Sequence, residues 1–306
     1  MQPETKNVIN VKTGLTVVIL SYNESIHIRR AIDNVIDWCD EVVILDSNST
    51  DDTAVIAEAC GAKVYYRAFD NYAAQRNYAI HDLPLQNEWM LFLDADEYLG
   101  EALKVEIANT FKNPVAFDGF LMKRRFIFND KWIKHGGYYP IWLVRLFKRS
   151  AANVDREINE HVAINGTVGR LDHFFSDHNL KPIADWINKH NRYSNFEAKQ
   201  FLFHAERKKN GGKDGMAKFS GDSVERKRWI REHIWNDLPP LLRPFFYFFW
   251  RYIFRLGILD GKAGLIYHFL HGFWYPFITD VKYLEMKKGK PPQSAAAEGE
   301  SGRPRP

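Results

Sequence analysis

The sequence predicts an α/β protein: a mostly parallel, Rossmann-like sheet flanked by helices, followed by an aromatic-rich helical region. Three observations carry this. Short continuous apolar runs alternate with helix-period patterns over residues 15–128, polar clusters stand directly behind those runs, and from about residue 180 the pattern turns to aromatic and basic helices. Apolar runs without period-two alternation suit strands covered on both faces. Their alternation with helices suits parallel βαβ units.

The elements follow in order. LTVVIL (15–20) is the first strand, and a helical spacing continues through Ile26, Ile32, Val35 and Ile36. EVVILD (41–46) is the second strand, followed by a short helix over residues 53–60; AKVYY (62–66) is the third. A helix over 73–80 leads into the strand WMLFLD (89–94). DGFLMKRRFIF (118–128) and IWLVRLFK (141–148) are two further strands, framing a loop whose Trp132, His135, Tyr138 and Tyr139 suit ring stacking or packing in a core. The expected organisation is an extension over 1–14, the main domain over 15–180, a helical region over 181–286 and a tail of disordered composition over 287–306. The charged, Gly-rich stretch 204–221 reads as a loop.

Composition narrows the function classes. Hydrophobic residues make up 45% of the chain, which excludes wholesale disorder, and a net charge of +4 does not call for a nucleic-acid partner. Cys39 and Cys60 give neither a disulfide framework nor a metal-type spacing, so a reducing, cytoplasmic setting is expected. The opening MQPETKNVINVKTG has no apolar signal core, so export is not expected, and no apolar run approaches the ~20 residues of a spanning helix.

Chemistry concentrates at strand ends, where open parallel sheets bind ligands. Strand one runs into Ser21-Tyr22-Asn23-Glu24, strand two into Asp46-Ser47-Asn48-Ser49-Thr50-Asp51-Asp52-Thr53, and the strand 89–94 into Asp94-Ala95-Asp96-Glu97. Helix caps account for Asn23, Ser25, Asp51 or Asp52, but not for polar groups at every strand end. On an extended backbone Asp94 and Asp96 project to the same side, and two adjacent carboxylates call for a cation between them. A hard divalent ion fits, because it takes one or two carboxylates plus phosphate oxygens. Glu97 is read as favouring the start of the next helix. No GxGxxG or Walker-type loop is present.

The set TVVILSYNE (16–24), DSNSTDDT (46–53), AAQRNYAI (73–80) and FLDADEYL (92–99) resembles the family-two glycosyltransferases of GT-A fold, and most closely their bacterial lipopolysaccharide core and cell-surface glycan branch. The resemblance implies inverting transfer from a nucleotide sugar, usually a UDP-sugar, with a divalent metal (Mg or Mn) as cofactor. It places Tyr22, Glu24 and Asp46 at the base and ribose and Arg76 near the base or phosphates. Asp94 goes to the ribose or metal and Asp96 to the metal and diphosphate, with Arg145 facing the phosphates or paired structurally and His178 a metal or phosphate ligand. Inversion also needs a base opposite the leaving group. The family's His-Glu pair falls on Asn159-Glu160 in VDREINEHVAI, so the His is missing; Glu160 is the candidate, with Glu157 and Asp155 as alternatives. His161 has a structural role or touches the diphosphate, metal or acceptor.

Residues 238–277 are dominated by aromatics interrupted by Arg243, Arg251 and Arg255. This suits amphipathic helices in an anionic membrane interface, peripheral to the cytoplasmic side of the inner membrane, where a lipid-linked or lipopolysaccharide glycan acceptor resides. An apolar helical pair packed on the main domain, or an oligomer interface, is the other reading. Two functional alternatives stand beside the transferase: a sugar nucleotidyltransferase, disfavoured because SYNESIHI lacks a glycine loop, and a non-catalytic nucleotide-sugar-binding assembly subunit.

Overall fold

A computed structural model describes residues 14–154, 162–209 and 238–289. They form β1 (Leu15–Ser21), α1 (Ser25–Val35), β2 (Glu41–Asp46), α2 (Thr53–Ala59), β3 (Lys63–Tyr66), α3 (Tyr72–His81), β4 (Trp89–Asp94), β5 (Glu97–Leu99) and α4 (Glu101–Thr110). There follow β6 (Gly119–Phe128), β7 (Lys131–Trp132), β8 (Ile141–Lys148), β9 (Ala152–Val154), β10 (Val162–Ile164) and β11 (Val168–His178). The helices beyond are α5 (Ile183–Lys209), α6 (Arg243–Phe249), α7 (Gly261–Tyr267) and α8 (Tyr275–Lys287). Among the described residues, one compact unit holds the chain up to Lys134 together with Tyr138–Leu180, and a second holds His135–Gly137 and the chain from Lys181 on.

In the first unit the strands lie in the order β3-β2-β1-β4-β8-β6-β11-β5, with β7 on β6. The pairs β3–β2, β2–β1, β1–β4 and β6–β11 are parallel. The antiparallel pairs are β8 with both β4 and β6, β5 with β11, and β7 with β6. Six of its nine strands (β1, β2, β3, β4, β6 and β11) thus run the same way, so the sheet is mostly parallel, as the sequence predicts. Every residue of β2, and all but Leu20 of β1, is buried, because helices cover both faces.

Alternate residues of each strand feed two cores. Val17, Ile19, Ile44, Leu91 and Leu93 pack against Ile28, Ile32 and Val35 of α1 and Leu103 and Ile107 of α4. Val18, Val43, Leu45, Met90 and Phe92 pack against Ala79 and Ile80 of α3 and Phe147 of β8. Phe92 and Phe147 meet at a ring-centroid distance of 5.4 Å, both fully buried. In the second unit α5 packs along α8, and no described helix is long and apolar enough to cross a membrane.

Phe92→Ala empties the centre of the second core and is expected to cost ~3–5 kcal/mol, read as a lower denaturant midpoint at unchanged slope.

Candidate active site

The strand order places the site. β1 lies between β2 and β4, so its carboxyl end sits at the point where the chain's strand order reverses. Register then gathers the acids: Ser21 pairs with Asp46, and Leu20 with Asp94.

Asp46 is fully buried and organises the loop behind β2. Its carboxylate accepts from the Ser21 hydroxyl at 2.8 Å and from both the amide and the hydroxyl of Ser49 at 2.6 Å. Ser49 Oγ in turn accepts from the Asn23 amide, and Asn23 Oδ1 accepts from the Thr50 amide. Asn23 and Asn48 both take left-handed backbone (φ 53° and 60°), which Asn tolerates better than most residues. The two loops are thereby laced together. Tyr22 stands exposed on this rim.

Behind β1, Glu24 accepts from His27 Nδ1 at 2.6 Å, and His27 Nε2 accepts from the Leu180 amide at 2.7 Å. The acceptor role of Nε2 places the ring proton on Nδ1. His27 was not among the sequence candidates, although it lies on the buried stripe of α1 with Ile28, Ala31 and Ile32.

The DADE segment is where the structure departs most from its sequence reading. Ala95 and Asp96 form a tight turn between β4 and β5. The extended-backbone argument that put Asp94 and Asp96 on one side therefore does not apply. Glu97 is not at a helix start: it opens β5, four residues before α4, and is 2% exposed. One Glu97 oxygen accepts from the Asp94 amide at 2.9 Å, and the other meets Arg145 Nη2 at 2.6 Å.

Arg145 Nη2 also reaches Asp94 Oδ2 at 2.8 Å, while Arg76 Nη2 reaches Asp94 Oδ1 at 3.1 Å. Arg145 gets there through a β-bulge. In the β8–β6 ladder, Phe120 pairs with Leu146 and Leu121 with Val144, so Arg145 is the extra residue, and bulges re-aim side chains in this way. Arg76 comes from the buried face of α3, which starts at an Asn71 cap whose side chain accepts from the Ala74 amide.

Asp96 accepts from Asn179 Nδ2 at 3.0 Å, and its carbonyl accepts from the His178 amide and from Arg30 Nη2. Arg30, also missed in the sequence, donates to the His178 carbonyl at 2.6 Å and lies over the Tyr98 ring. His178 Nδ1 lies 3.4 Å from Arg30 Nη1, and its Nε2 lies 3.1 Å from Asp130. Burial, then the Arg30 charge, pulls the His178 pKa below the ordinary imidazole value, which favours the neutral ring. Asp177 is pushed up to about 7, first by burial and then by the Asp96 charge. Glu97 is raised well above the usual carboxylate range by burial, against the opposing pull of Arg145.

Asp155, Glu157, Glu160 and His161 lie outside the described residues. At the end of β7, Trp132 packs edge-on to Tyr139 and against Phe174, and in the loop that follows Tyr138 stacks on Phe126. His135 bonds Asp260 in the second unit.

The donor set suits a hard divalent ion: Asp94 and Asp96 offer carboxylate oxygens, and such an ion completes its shell with phosphate and water. No group of three or more His, Cys, Asp or Glu that could hold a metal exists among the described residues.

Carboxylates paired with buried guanidinium groups thus stand beyond the parallel strands, at the reversal of strand order, where open α/β sheets bind ligands. The chain belongs to glycosyl transferase family 2, whose model matches residues 16–177, more than half its length, and its fold is the GT-A type. It is similar to the lipopolysaccharide core biosynthesis glycosyltransferase LpsC of Rhizobium meliloti (strain 1021), at 26% identity across 90% of this chain and 93% of that one. An uncharacterized glycosyltransferase of Rickettsia bellii (strain RML369-C) is 40% identical over 97 residues, 32% of each chain, so the match spans about a third of that relative. Among solved structures, glucosyl-3-phosphoglycerate synthase from Mycobacterium tuberculosis overlays 57% of this chain and 75% of its own, at 15% identity and a TM-score of 0.41.

Two measurements test the network. Arg145→Met strands the buried Glu97 charge and is expected to cost ~3–5 kcal/mol by chemical denaturation. Asp177 has a folded-state pKa above its ordinary 3.8, so the stability it contributes is complete below that value and is lost as pH rises through about 7. Unfolding free energy should accordingly decline less between those pH values in Asp177→Asn than in the wild type.

Proposed function

We propose that the chain is an inverting, divalent-metal-dependent hexosyltransferase. It moves a sugar from a nucleotide sugar, a UDP-sugar, to a hydroxyl of a lipid-linked or lipopolysaccharide-type glycan at the cytoplasmic side of the inner membrane. The observation that carries the reading is the cluster of Asp94, Arg76 and Arg145 beside the Asp46 loop at the carboxyl ends of β1, β2 and β4. The similarity to LpsC, named for lipopolysaccharide core biosynthesis, supports the acceptor class.

Residue roles follow from this reading. Tyr22, exposed on the rim, stacks on the base, while Asp46 and Glu24 shape the base and ribose pocket through the loops they hold. Arg76 and Arg145 hold Asp94 in place, and they supply positive charge near the phosphates. Asp96 and Asp94 would hold the divalent ion, with phosphate oxygens and water completing its shell. When bound, that ion neutralises the diphosphate as it leaves. Glu160 takes the acceptor proton, with Glu157 and Asp155 as the competing bases.

The test is a screen of nucleotide sugars for diphosphate release, with membrane extract as acceptor and with divalent metal supplied or chelated. Release that depends on metal and falls at least ~10²-fold in Asp96→Asn and in Glu160→Gln, with circular dichroism unchanged, is the expected result. No release with any nucleotide sugar would overturn the proposal.

A further inference from the structure

The segment 241–275 of the second unit buries charge. Arg243, Arg251, Asp260 and His268 are buried there along with Ala263 and Tyr267, with Thr279 and Asp280 just beyond. Each charged group has a partner inside. Arg243 Nε donates to Asp280 at 2.8 Å, Asp260 accepts from the His135 amide at 2.9 Å, and Arg251 donates to the Gly136 carbonyl at 2.9 Å. The His268 ring lies against the backbones of Gly136 and Gly257, where a Cβ would come within 2.0 Å and 2.5 Å of it.

The outside is apolar. Phe246, Trp250 and Phe254 recur every four residues along α6 and the π-helical turn that continues it, and Phe249, Ile253 and Leu259 widen the strip. Phe254 is 70% exposed. The four aromatic rings alone leave on the order of 500 Å² open, at the size where apolar patches on a monomer mark a binding surface.

Charge selects the occupant. Between residues 239 and 279 the only carboxylate is Asp260, which is buried, whereas Arg255 and Lys262 are exposed. An apolar strip whose own segment exposes cations and no carboxylate complements an anionic lipid surface; a second copy would set like charges against each other. We propose that this strip is a membrane-docking face, with Phe246, Trp250, Phe254 and Leu259 entering the acyl boundary and Arg255 and Lys262 resting at anionic headgroups. The proposal rests on the membrane-side location advanced above but not on sugar transfer.

The test uses the full chain without donor or acceptor. It is sedimented with vesicles of equal parts phosphatidylcholine and phosphatidylglycerol, and with vesicles of phosphatidylcholine alone. Expected are binding that favours the anionic vesicles, a roughly tenfold loss of partitioning in Phe254→Ser, and loss of the anionic preference in Arg255→Gln/Lys262→Gln. Brominated lipid should quench wild-type fluorescence more than that of Trp250→Phe, a conservative change that keeps the fold. Unchanged thermal midpoints in the other variants show that they remain folded. Absence of vesicle binding, equal quenching with and without Trp250, or self-association in lipid-free buffer that Phe254→Ser abolishes would each overturn the proposal. Diphosphate release persisting without vesicle binding would refute the docking face while leaving the transferase reading intact.

Discussion

The Arg145 guanidinium is the contact on which the candidate site depends. It bridges Asp94, at the end of β4, and Glu97, at the start of β5, with a single nitrogen. Without it, two carboxylates joined by a two-residue turn would face each other at the edge of the core, with Asp177 adding a third negative group. Mutual repulsion would then be relieved by protonation or by opening the turn. Arg145 lies on a strand antiparallel to β4, and only the bulge at that position brings it to the acids. Local ladder irregularity and site electrostatics are thus one feature seen from two sides.

The same logic holds on the other flank of β1. Asp46 is spent on structure, with both oxygens accepting from Ser21 and Ser49, yet that expenditure sets the rim on which Tyr22 stands. The Glu24–His27–Leu180 relay ties the first strand end to the chain just after β11, and Arg30 ties the Asp96 turn to the same place. Rigid scaffolding of this kind holds polar groups in position before a ligand arrives.

Much of this was legible in the sequence. The buried strands β1, β2 and β4 stand out as continuous apolar runs because helices cover both sides of the sheet, and the polar ends follow from where the chain leaves that cover. What was hidden has physical causes. Asp94 and Asp96 looked like extended neighbours because two-residue spacing says nothing about a turn at Ala95. Glu97 looked like a helix starter because its burial depends on Arg145, about fifty positions away. Arg30 lies off the apolar stripe of α1, so periodicity gave it no role; its partners, the Asp96 and His178 carbonyls, are backbone groups that side-chain patterns do not report. His27 was the most accessible miss, since a histidine on an apolar helix face needs partners for both ring nitrogens.

The two units answer one force in opposite ways. In the first, the hydrophobic effect drives Phe92, Phe147 and Phe175 to zero exposure and leaves charges at strand ends. In the second, Arg243 and Asp280 are sealed inside while phenylalanines face outward. Desolvating an ion pair to build an interior, when apolar side chains are available in the same helix, is unfavourable in water. The arrangement becomes favourable once the outward face is itself removed from water, because the exposed rings then gain the burial that the interior gives up. On the proposed docking, the outward rings of residues 241–275 gain that burial at a lipid boundary edged by anionic headgroups, with no described helix crossing it.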